Sequence, residues 1–210
     1  MAAKNGYAIQ MIVAAWLATA TQGRPMLPTE EITEQLARGI FTANELSMAV
    51  ADEAITDLAN LHADEVIPRI GIQPEPEELD RLRRAVDVIF EADHEQLVSR
   101  MERIATSEPL RAAKVAMQEA MRLRGVEEWV RVVQPKACDA CADRLGEVRE
   151  IDTPFTDHPG CKCSLRARIP QGWGDTVKER ALQLRQVAPN GIRLSTGISF
   201  DSIHEGENHE

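Results

Sequence analysis

The chain has 210 residues, 43% hydrophobic and 28% charged, an ordinary balance for a globular protein with room for one substantial domain or two small ones. Its formal net charge is -10. That charge speaks against direct DNA binding, which needs clustered Lys and Arg to displace counterions from phosphates; an acidic surface instead suits docking on a basic protein partner.

Lys4 precedes an apolar run from Tyr7 to Ala20, and Ala18-Thr19-Ala20 resembles a signal cleavage site. The run is too short, and too interrupted by Gln10 and Thr19, to span a membrane. It reads as an amphipathic or buried helix over 5–20 in a chain that is not exported. Gly23 to Pro28 break it. Thr29 with Glu30 and Glu31 starts the next helix, with acids where the helix dipole favours them. Ile32, Leu36 and Ile40 share a face, and Gly39 loosens the end. Thr42-Ala43-Asn44-Glu45 has capping-box form and predicts a fresh helix. Leu46, Val50, Ala54, Leu58 and Leu61 follow as its buried stripe.

Pro68, Gly71, Pro74 and Pro76 mark a loop. Glu77 to about Ile104 reads as the longest helix, close to a heptad pattern, with Asp93 interrupting the apolar stripe. Ser107 and Pro109 read as a cap and first turn of another helix, which Gly125 ends. From there the pattern changes. Glu128 to Gln134 is rich in β-branched and aromatic residues and reads as a strand. Short strands are also expected at 147–151 and 164–169. A last helix starts at Asp175 or Thr176, with Val177, Ala181, Leu184 and Val187 on one side. From Ala188 onward the composition is polar, and the acidic end reads as a mobile or partner-ordered tail. The expected fold is mainly α with a small C-terminal α+β element: a helical bundle or arm, then a zinc-knuckle-like β-hairpin region. The expected divisions are a helical region at 1–105, a Cys/His domain at 106–170, and a helix with tail at 171–210.

All four cysteines lie in one stretch, as Cys138-x-x-Cys141 and Cys161-x-Cys163, with His158 three residues before the second pair. Two cysteines spaced by two residues can hold one ion from the same side, the common first half of a structural zinc site. Pro159 and Gly160 predict a tight turn that points His158 and Cys161 inwards. Five candidates compete for four tetrahedral positions, and the favoured set is Cys138, Cys141, His158 and one of Cys161 or Cys163, around a structural Zn²⁺. A disulfide, in any of three connectivities, and reduced unliganded thiols are the other readings. No nucleophile, phosphate-cradling glycine loop or H-x-E deaminase pattern accompanies these residues. His62, His94, His204 and His209 read as surface histidines, and the acid pairs Asp139 with Asp143 and Asp152 with Asp157 as loop carboxylates.

The strand at Trp129–Val133, the C-x-x-C followed by Leu145-Gly146, then Pro154-Phe155 and His158-Pro159-Gly160-Cys161-Lys162-Cys163 resemble the C-terminal signature of the phage Mu F-like head morphogenesis, or minor capsid, proteins. The likeness covers about residues 107 to 170. It implies a non-enzymatic virion protein, present inside a tailed-phage head near the portal and assembled in the host cytoplasm. Its partners would be the portal, the major capsid protein or further copies of itself, with no membrane. The alternative is a zinc-dependent nucleic-acid binder or nuclease. That would need a general base and a basic face, and His158, the only plausible base, is already a candidate ligand.

Overall fold

The computed structural model describes residues 30–196 apart from 92, 93, 136, 157, 159, 160 and 162. The expected N-terminal helix and the polar end beyond 196 lie outside the described residues. Among those described the chain is mainly helical, with a few small strands.

The first described element is one unbroken helix, α1 (Glu30–Ala63). The sequence instead predicts two helices, separated near Gly39 and capped at Thr42. A mid-helix glycine costs only about 1 kcal/mol relative to alanine, and the buried side chains Leu36, Ala37, Ile40, Ala43 and Met48 run past it on one stripe. Packing on both sides therefore carries the helix through, and Thr42 stays exposed without acting as a cap. The buried stripe further along is Met48, Ala51, Ile55, Ala59 and Ala63, and of the expected row Leu58 alone packs against it. Leu46, Val50 and Leu61 face solvent. Both rows have helical spacing, so periodicity alone could not choose between them.

A short strand, β1 (Ile72–Pro74), leads into α2 (Glu77–Phe90) and α3 (His94–Leu123). One helix ends at Phe90 and the next starts at His94, so no new helix begins at Ser107. The Thr106 and Ser107 hydroxyls donate to the carbonyls of Glu102 (2.8 Å) and Arg103 (2.7 Å), as such residues do inside helices. Pro109 sits within α3. Its missing N–H is tolerated because the helix is packed on both sides of it, by Met101, Ile104 and Ala105 and by Ala112, Ala116 and Ala120. Gly125 closes α3 as the sequence predicts, with φ of +79° and the Val126 N–H donating to the Met121 carbonyl at 3.0 Å.

Two apolar clusters set the direction of the helices. The N-terminal halves of α1 and α3 share one with α2, and their C-terminal halves share the other. So α1 and α3 run the same way. Thr33 donating to Asp87 and Arg81 paired with Glu108 fix α2 as the antiparallel return between them.

After α3 come β2 (Glu128–Val132), the single-turn α4 (Asp139–Ala142), β3 (Val148–Glu150), β4 (Ser164–Arg168), α5 (Trp173–Val187) and β5 (Ile192–Leu194). The three expected strands form an antiparallel sheet in the order β3–β2–β4, with Trp129 opposite both Arg149 and Ala167. This is a sheet with β2 at its centre rather than a simple hairpin. β1 and β5 pair in parallel, Ile72 with Ile192, where the sequence predicts a loop and the start of a tail. The expected division at 105–106 falls inside α3. Trp173, Val177 and Ala181 of α5 join the same cluster as Ile55, Ala116, Trp129 and Leu165.

Candidate metal centre

β2 delivers the chain to the site. Val133, just past its end, packs on the cysteines with Ala137 and Phe155. Cys138 is extended (φ −65°, ψ 160°), and its carbonyl accepts the N–H groups of Cys141 and Ala142, both at 2.9 Å. That opens α4, so the C-x-x-C pair spans a single helical turn. On the facing loop the Cys161 N–H donates to the His158 carbonyl at 3.0 Å; Pro159 and Gly160, at which the sequence predicts a tight turn, lie outside the described residues. β4 begins directly after Cys163.

All five predicted ligands converge. They form two triads, Cys138–Cys141–His158 and Cys141–Cys161–Cys163, each with its ligand atoms within 4.8 Å of one another. His158 Nε2 lies 3.2 Å from Cys138 Sγ and 3.1 Å from Cys141 Sγ, and the Sγ atoms of Cys141 and Cys161 are 3.7 Å apart. With metal–sulfur bonds of about 2.3 Å, two thiolates on a tetrahedral ion sit about 3.8 Å apart, and a thiolate and an imidazole about 3.6 Å. The sulfur pair matches that edge, and the sulfur–nitrogen pairs are slightly tighter. The donor set therefore fits a small ion that favours thiolate and imidazole. The four thiols are free, with no disulfide between them.

Cys141, Cys161 and Cys163 are buried, whereas Cys138 and His158 reach the surface. Burial pushes the Cys141 thiol well above the usual range, and the neighbouring Cys163, Cys138 and Cys161 add to the rise. Burial acts on Cys163 in the same direction. There it is outweighed by hydrogen bonds from Cys141, Cys161 and the Gln134 backbone and by the nearby Arg131 charge, so its thiol sits lower than usual. A cation bound here would have to displace the Cys141 proton.

A layer of side chains holds the loop that carries His158. The Gln118 carboxamide of α3 donates to the carbonyls of Ile151 and Thr153 (2.8 Å) and accepts the Phe155 N–H at 3.3 Å. Trp129 Nε1 also donates to the Thr153 carbonyl (3.1 Å), and Arg131 Nη2 to that of Thr156 (2.7 Å). The Phe155 ring meets two cations, with Arg131 Cζ 4.2 Å and Lys114 Nζ 5.1 Å from its centroid. Lys114 also donates to the Cys161 carbonyl at 3.2 Å.

Reading the sequence misses this layer. Its one signal is that Lys114 and Gln118, four residues apart on α3, are polar where a helix meets a sheet. Among the described residues the carboxylates of Asp139, Asp143 and Asp152 join neither triad. His62 is exposed and meets the edge of the Trp173 ring. No protein-family model, curated protein or solved structure matches this chain.

Proposed function

We propose that the Cys/His cluster holds one structural Zn²⁺, and that the chain is a minor head protein of a tailed bacteriophage. The observation that carries the metal reading is the convergence of five ligand-type side chains from two separate loops, with a sulfur–sulfur distance suited to a tetrahedral ion. Mixed thiolate and imidazole donors favour zinc over oxygen-seeking cations. Bound there, the ion supplies folding energy by tying the α4 turn and the 151–161 loop to the start of β4, as a knuckle does. Four protein ligands leave no open coordination position, so the role is structural and not catalytic.

The head-protein reading rests on the likeness of the C-x-x-C and H-P-x-C-x-C order to the Mu F-like signature. Mainly helical architecture and an acidic surface are compatible with it. In this role the chain docks on the portal or the major capsid protein from inside the head, and acts in head morphogenesis and in DNA packaging or ejection.

Each part has its own experiment. Native mass spectrometry with elemental analysis of the full chain is expected to give about one zinc per chain; folded, metal-free protein with four reactive thiols overturns the metal reading. Proteomics of purified procapsids and virions is expected to find the chain in both. Its absence from both particles overturns the head-protein reading and leaves the metal reading standing.

A further inference from the structure

α1 carries a second apolar face that the core does not use. Leu46 is 47% exposed, Val50 43% and Leu61 82%, and Ala54 is exposed among them. At 100° per residue these four fall on one side of the helix, opposite Met48, Ala51, Ile55 and Ala59 of the buried stripe. The row from Leu46 to Leu61 is about 22 Å long at 1.5 Å per residue. Glu53, which pairs with Arg69, and Asp57 share this side. A second copy laid on the same face would bring these acids together, and like charges oppose that pairing.

The first 29 residues of the chain have the complementary character. They contain Lys4 and Arg24 and no Asp or Glu, and they hold the apolar run Tyr7–Ala20. We propose that residues 7–20 seat on the Leu46–Leu61 face of α1 in the same chain. The lengths agree. Fourteen residues in a helix span about 21 Å, close to the row they would cover. Glu30 lies about 24 Å from Leu46 along the α1 axis, and the nine residues 21–29 reach about 30 Å when extended. A run this short is marginal as an isolated helix in water, so it gains order only by burying its apolar side.

Hydrogen exchange read by mass spectrometry on the full chain tests this. Amides within 7–20 are expected to exchange about tenfold more slowly in the wild type than in the Val50→Asp, Leu61→Asp double variant, at low and high protein concentration alike. The exposed positions leave the core untouched, so amides around Met48–Ile55 keep their protection in the variant and serve as the folding control. Trp16→Asp, placed on the segment itself, is expected to release the same amides. Exchange of 7–20 at unfolded-chain rates in the wild type overturns the proposal, and so does protection that both sets of substitutions leave unchanged. Protection that grows with protein concentration assigns the face to a second copy and overturns it too.

Discussion

Cys141 belongs to both triads, and its thiol is the one that burial holds most firmly protonated. Cys141→Ser is therefore expected to abolish metal retention. Only one of Cys161→Ser and Cys163→Ser should do the same, because five candidates exceed four positions; competition with a chromophoric chelator measures each. Every thiol that binds must lose its proton, so affinity falls as pH is lowered. The expected slope is about tenfold per pH unit for each proton displaced, read from chelator titrations between acidic and mildly alkaline buffer. Gln118 bridges three backbone groups of the loop before His158. Gln118→Ala leaves them without that partner and is expected to cost about 1–3 kcal/mol in a urea titration, with weaker metal retention as a second readout.

Among the elements, the parallel pair β1–β5 depends on a close backbone approach. Gly191 has φ of +85°, and a Cβ there would lie 2.2 Å from the Gly71 carbonyl oxygen. The Ile192 N–H donates to that same carbonyl at 3.2 Å, which begins the pairing. Gly191→Ala combines left-handed strain with a backbone clash, and is expected to destabilise the chain by more than about 2 kcal/mol in thermal or urea unfolding. The same element pair explains why residues 188–196 are ordered although their composition reads as a tail. Their partner strand lies 120 residues earlier in the chain, and local sequence carries no record of such a partner.

Across the whole molecule, a buried polar clasp fixes this returning segment to the helices. Glu78 accepts the Ser195 hydroxyl (2.9 Å), the Thr196 N–H (3.2 Å) and the Thr196 hydroxyl, and pairs with Arg81, which also reaches Glu108. Arg111 Nε donates to the Thr196 carbonyl at 2.9 Å. Burial alone would raise the Glu78 carboxyl, but hydrogen bonds from Thr196 and Arg81 outweigh it and hold it below its ordinary 4.5. A depressed carboxyl contributes stability above its unfolded value and loses it as pH falls through the folded one. The clasp should therefore weaken below about pH 4.5. Glu78→Gln is expected to cost about 3 kcal/mol at neutral pH, as breaking a buried pair does, and to flatten the acid limb of a urea-midpoint profile.

Metal removal acts elsewhere. The ligands form their own small cluster, which meets the neighbouring helical core through Phe155. Chelation is expected to speed amide exchange across 130–165 while the helical circular dichroism signal stays nearly unchanged.

The sequence by itself determined the mainly helical class, the end of α3 at Gly125, the three strands around the cysteines and the five ligand-type residues. Each of these is written locally: in a glycine that can take positive φ, in β-branched alternation, or in cysteine spacing across one turn. Tertiary structure decided which face of α1 is buried, that α1 passes Gly39, and that α3 passes Pro109. It also decided that Ile72–Pro74 meets Ile192–Leu194, and that Gln118, Arg131 and Phe155 hold the His158 loop. In these cases the local preference is worth about 1–3 kcal/mol, and contacts between residues far apart in the chain outweigh it.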